Sequence, residues 1–176
     1  MAILPILTAP HPVLAGKARD VNEDEFGADL AQLTLDMADT MYDAPGVGLA
    51  APQVGDARRI VVIDSGEEGG SGLLKMVNPV ITERSNETIL WAETCLSVPD
   101  VEVKVRRNKR ITVQWKEAET GEPVEQEFQN FEAVIVQHEL DHLLGTVLLD
   151  RASRFKRSRY LQREKKRRRE AQRAGA

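Results

Sequence analysis

"NFEAVIVQHELDHLLG", residues 130–145, is the stretch on which the reading of this 176-residue chain turns. Asn130 suits the cap of a helix that starts near Phe131, and Gly145 suits its end, so the apolar run between them is predicted to be helical. Residues four apart on a helix stand one turn above the other. His138 and His142 can therefore face one cation, with Glu139 beside them. Two nitrogens do not complete a metal site, and the third ligand has to come from elsewhere.

Downstream, the metalloprotease pattern that places a third His six residues after the second meets Leu148 instead. The only later glutamates, Glu164 and Glu170, sit in a strongly basic tail. Upstream, His11 lies in the turn "APHPVL", and Cys95 follows a predicted strand in "WAETCLSVP", where a loop can aim a thiolate at a neighbouring helix. Cys95 is the favoured third ligand. One Cys with two His leaves a fourth position open, as catalytic metal sites do.

The remaining elements are read by periodicity. Phe26, Leu30, Leu33, Met37 and Met41 form an amphipathic stripe over residues 24–43, ended by Pro45 and Gly46. Strands are predicted at 58–65, 73–82, 87–91, 102–106, 110–117 and 123–129, the last two joined by "TGEP". Residues 1–22 are read as extended chain, and "APGVGLAAPQVG" (44–55) as a tight turn in which glycines allow close backbone approach and Gln53 offers an amide donor. Strands grouped between long helices favour an α+β fold over alternating α/β.

Composition excludes several classes. No apolar run approaches the roughly 18 residues of a membrane span, and the N-terminal segment reads as no signal peptide. A single cysteine allows no internal disulfide, which fits a cytoplasmic protein. Charge is unevenly spread: residues 151–176 hold 12 of the 24 Lys and Arg but two of the 28 Asp and Glu, a net +10 against −14 for the rest. A basic helix on an acidic body suggests nucleic-acid contact. Leu148, Ala152 and Phe155 are expected to pack its start onto the domain.

Three separated motifs, Gly46-Val47-Gly48-Leu49-Ala50-Ala51-Pro52-Gln53, Glu93-Thr94-Cys95-Leu96-Ser97 and His138-Glu139-Leu140-Asp141-His142, resemble those of the peptide deformylase family. Thr94 stands where that family usually has Gly, and Glu102 where it often has Arg. The resemblance implies a deformylase domain over 1–150, with antiparallel sheets around the central helix, and a basic helix over 151–176. It implies a metal held by Cys95, His138 and His142: Fe(II) in cells, with Zn(II), Ni(II) or Co(II) able to replace it. Glu139 would be the proton carrier, with Gln53 and the Leu96 N–H holding an oxyanion. Gly46, Val47, Gly48, Trp91, Glu93 and Val134 would meet substrate, an N-formyl-methionyl peptide. Asp141 is expected to support the site through Arg106 or Arg107. A monomer docking on ribosomal RNA through the basic helix is expected, with residues 162–176 dispensable for short peptides. The alternatives are another metal-dependent amidase or peptidase, or a deformylase-like ribosome binder without turnover.

Overall fold

The computed structural model describes residues 2–174. Its centre is a five-stranded antiparallel sheet in the order β1 (Gly48–Ala50), β2 (Ile60–Ile63), β3 (Leu74–Arg84), β6 (Arg110–Lys116), β7 (Pro123–Gln129). A second, two-stranded sheet pairs β4 (Thr88–Cys95) with β5 (Val98–Asn108). Four helices accompany them: α1 (Pro12–Ala15), α2 (Ala28–Asp43), α3 (Asn130–Leu143) and α4 (Arg154–Ala174). Antiparallel sheets around a central helix are the expected α+β architecture.

Both faces of the larger sheet are covered, which is why β2 reads as an unbroken apolar run, Ile60-Val61-Val62-Ile63, with all four residues buried. The period of two divides the run between two cores. Val61 and Ile63 join Met76, Ile111, Val113 and Phe128 against Val136, Leu140 and Leu143 of α3. Ile60 and Val62 join Val77 and Leu49 against Leu30, Met37 and Met41 of α2. A third cluster seats the smaller sheet: Val98, Val103 and Val105 pack with Leu14, Leu148, Leu149 and Tyr160. Helix α3 lies between the sheets, touching β1, β2, β5, β6 and β7.

Four expectations need correction. The stripe over 24–43 is broken at Gly27, whose φ of 133° interrupts it, so a 3-10 turn (Glu23–Glu25) precedes α2. Gly48–Ala50, read as turn, pairs with Val61–Ile63 as an edge strand. Gln129, not Asn130, is the cap residue of α3. Strand β7 enters the helix without a loop, and Asn130 makes the change of direction at φ 51°, a left-handed value that Asn tolerates. Finally, Phe155 is 74% exposed. A 3-10 turn, Leu148–Arg151, separates Leu148 from α4, so spacings counted from Leu148 have no helical meaning. Tyr160 and Leu161 dock α4 in its place.

Candidate metal centre and substrate cavity

Helix α3 and the β4–β5 hairpin meet edge to edge, and the chemistry lies where they meet. Cys95 closes β4, and its Sγ lies 3.3 Å from His142 Nε2. The donor atoms of Cys95, His138 and His142, all buried, lie within 4.8 Å of one another. The two imidazoles stand one turn apart, 5.2 Å between ring centroids. His138 Nδ1 hydrogen-bonds Glu93 Oε2 at 2.8 Å. The carboxylate is the acceptor, so Nδ1 carries the hydrogen and Nε2 keeps its lone pair for a cation. His11 is elsewhere: its Nδ1 accepts from Val13 N–H and caps α1.

A line of alternating charge runs back from His138. Glu93, expected among the substrate contacts, spends both oxygens elsewhere: Oε1 accepts from Arg107 Nε at 2.7 Å, and Oε2 from Arg107 Nη2 at 2.9 Å as well as from His138. Burial works against its charge, but Arg107 and His138 outweigh it and hold the carboxyl at about 2. Arg107, 4% exposed, also donates to Asp141 Oδ2 at 2.7 Å, and Arg151 adds two bonds of 2.8 Å to Asp141. Arg106 turns away to Thr88 Oγ1. Asp141 is therefore paired and aimed away from the histidines, and the line Arg151–Asp141–Arg107–Glu93–His138 fixes α3 against the hairpin. Breaking such a buried pair on one side typically costs ~3–5 kcal/mol.

Glu139 is incompletely satisfied. It is 4% exposed, and its Oε2 is buried with no hydrogen-bond partner; burial raises its carboxyl to about 7. Burial and the charges of His138 and Arg107 push His142 down to about 3. For His138 burial also favours the neutral ring, but hydrogen bonds to Cys95 and Glu93 raise it well above its usual value. The donor set, one sulfur and two imidazole nitrogens, suits Fe(II), Zn(II), Ni(II) or Co(II), and the unpartnered carboxylate beside it fits such an ion.

These residues open into a cavity of about 490 Å³. Gly46, Val47, Gly48 and Gln53 line one side, and Trp91, Val134 and Glu139 line another. Thr94, exposed, and Leu96 belong to the same lining. Trp91 stacks on Phe131 at 5.1 Å, a wall residue that the sequence reading did not single out. Gln53 is held by its own Oε1, which accepts from Ala50 N–H at 2.8 Å, leaving Nε2 directed at Ser97 Oγ (3.1 Å) beside Cys95. The "polypeptide deformylase" family model matches residues 3–158.

The chain belongs to the polypeptide deformylase family. It is 42% identical over 168 residues to the peptide deformylase of Desulfotalea psychrophila, covering 94% of this chain and 97% of that one. The Zymomonas mobilis deformylase is 43% identical over 162 residues, 89% of this chain and 90% of that one. Among solved structures, the actinonin complex of the Ehrlichia chaffeensis deformylase superposes with a TM-score of 0.87 at 35% identity, covering 95% of this chain and 98% of that one. The Met-Ala-Ser complex of the Acinetobacter baumannii class I type b deformylase gives 0.80 at 36% identity, over 86% and 99%. Deformylases of this family are metal-dependent hydrolases that act in protein biosynthesis.

Proposed function

We propose that this chain hydrolyses the N-formyl group of formyl-methionyl peptides, releasing formate and a free amine. The observation that carries the reading is Glu139: a buried carboxylate with an unpartnered oxygen, beside three convergent metal donors, on the wall of a peptide-sized cavity. The Met-Ala-Ser complex of the Acinetobacter baumannii relative supports a methionyl peptide as the kind of ligand this cavity takes. A divalent ion on Cys95, His138 and His142, Fe(II) in cells, would supply the Lewis acidity that brings the pKa of a water towards neutrality.

The chain's own groups do the rest. Glu139 takes the proton of the attacking water and delivers it to the amine as the formyl C–N bond breaks. The side-chain N–H of Gln53 and the backbone N–H of Leu96 meet the oxyanion. Val47, Trp91 and Val134, with Phe131, offer the methionine side chain an apolar slot. Gly46 and Gly48 bring the 46–53 segment close enough to admit formyl and exclude acetyl. The metal-loaded protein is expected to release formate from formyl-Met-Ala-Ser and none from acetyl-Met-Ala-Ser. Glu139→Gln should keep the metal and lose roughly 10²–10⁴-fold in kcat, whereas Cys95→Ala should lose both; a Glu139→Gln protein of near wild-type rate overturns the mechanism.

We further propose that residues 151–176 dock this cytoplasmic, monomeric enzyme on ribosomal RNA, with 1–150 as the catalytic domain. The support is a division of α4 into two faces. Tyr160, Glu164 and Arg167 turn to the body, while Lys165, Arg169 and Arg173, four apart, line the opposite, exposed side. Replacing Lys165, Arg169 and Arg173 by Gln should abolish salt-sensitive co-sedimentation with ribosomes in a protein whose melting temperature is unchanged. Undiminished sedimentation would remove the docking role.

A further inference from the structure

One wall of the cavity comes from none of the residues so far given a role. Pro99 lines it, at the start of β5, just beyond the Cys95 turn. Its neighbour Asp100 has φ 60°, a left-handed value that a non-glycine residue keeps only where its surroundings hold it. What holds it is on α4. Arg163 Nη2 donates to Pro99 O at 2.9 Å, and Arg163 and Arg167 reach Asp100 Oδ2 at 3.5 and 3.4 Å. Arg163 is itself placed, its guanidinium 5.5 Å from the ring centre of Tyr160. Tyr160, 2% exposed, is pinned by its hydroxyl, which donates to Ala9 O at 2.9 Å. Arg167 is steadied by Glu164, a buried carboxylate 3.0 Å away.

We infer that Arg163 is a positioning residue for substrate: through the Pro99 carbonyl it sets where the outer wall of the cavity stands. The inference rests on the cavity being the formyl-peptide site. Arg163 acts through Pro99, and among the described residues it makes no hydrogen bond to Glu139 or to the three metal donors, so it governs binding and leaves the chemical step alone. Asp100 is the second attachment of the same wall. This bears against the expectation that residues 162–176 are dispensable for short peptides, because a chain cut there lacks Arg163 and Arg167.

The test is steady-state kinetics on the full-length, metal-loaded protein with formyl-Met-Ala-Ser. Arg163→Ala should raise KM by roughly three- to tenfold, about the net contribution of one ordinary hydrogen bond, with kcat within about twofold of wild type. Arg163→Lys, whose ammonium can stand in for the one nitrogen, Nη2, that meets both Pro99 O and Asp100, should recover most of the KM. Asp100→Asn should raise KM in the same direction, and the double variant Arg163→Ala/Asp100→Asn should be no worse than the weaker-binding single variant, as for two changes acting through one wall. A variant that merely folds less well lowers kcat per mole of protein and leaves KM alone; that result overturns the inference. So does an Arg163→Ala protein with wild-type KM. A wild-type protein that releases no formate overturns the assigned function itself, and the two failures are distinct.

Discussion

An ideal Cβ placed on Gly48 would lie 2.5 Å from Glu139 Oε1 and 2.9 Å from its Cδ and Cγ. The glycine is needed for this close approach, since its backbone is extended within β1. Gly48→Ala would force the buried Glu139 side chain to shift from its Cγ outward, and that side chain is the proposed proton carrier. A displacement of about 1 Å at a reacting group can cost on the order of 10²-fold, so Gly48→Ala is expected to lose about that much kcat while keeping its metal. Metal analysis beside formate release checks it, and a near wild-type rate would show that Glu139 tolerates the shift. At this scale the sequence was most legible where chemistry imposes local spacing. His138 and His142 announce themselves by a helical interval. The task of Glu93 stayed hidden, because its pairing with Arg107 joins residues 14 apart across a hairpin whose register no local pattern displays.

Elements were legible where a face is apolar and regular. The α2 stripe was read from its period and β2 from its unbroken apolar run, and both sit in cores. Three-residue β1 has too little length to show a period, and α4 lost its phase at the 3-10 turn before it. The 3-10 turn before α2 is held by charge instead of apolar contact. Glu25 forms a two-pronged pair with Arg19 at 2.7 and 2.8 Å, accepts from Asn22 N–H, and lies 3.4 Å from Arg58. Arg19, then the Asn22 amide, hold its carboxyl at about 2, below its ordinary value of 4.5. A carboxyl lowered on folding contributes stability that is complete above the unfolded value and lost as pH falls through the folded one. The contribution of Glu25 should therefore persist above about pH 4.5 and fade towards about pH 2. Glu25→Gln should lower the melting temperature at about pH 7 and narrow its gap to wild type by about pH 2.5. An equal gap at both would show that the pair is inert; its exposure to solvent keeps the effect small.

Over the whole molecule, the basic segment visible in the composition turns out to have two uses for its charge. Arg163, Arg167 and Arg168 bend back to Pro99, Asp100, Thr8 and Pro10, while Lys165, Arg169 and Arg173 face outward. Composition counts charges without saying which way they point, so the excess of +10 could suggest a partner but could not reveal the inward half. The same helix bonds part of the N-terminal segment. Thr8, Ala9 and Pro10 lie beneath Tyr160 and Arg168, with Ala9 N–H also bonded to Ser97 O beside Cys95.

That docking has a consequence in time. Asp100 and Arg167 are 67 residues apart, and synthesis proceeds at about 5–20 residues per second. For roughly 3–13 s after the hairpin leaves the ribosome, the wall at Pro99 therefore has no brace, and the carbonyls of Thr8, Ala9 and Pro10 lack their donors on α4. Over that interval a newborn copy is an unfinished enzyme, its cavity without the support of α4. Once α4 arrives and folds down, Pro99 gains its brace, and the cavity takes its final shape only after a segment 67 residues further along has been made.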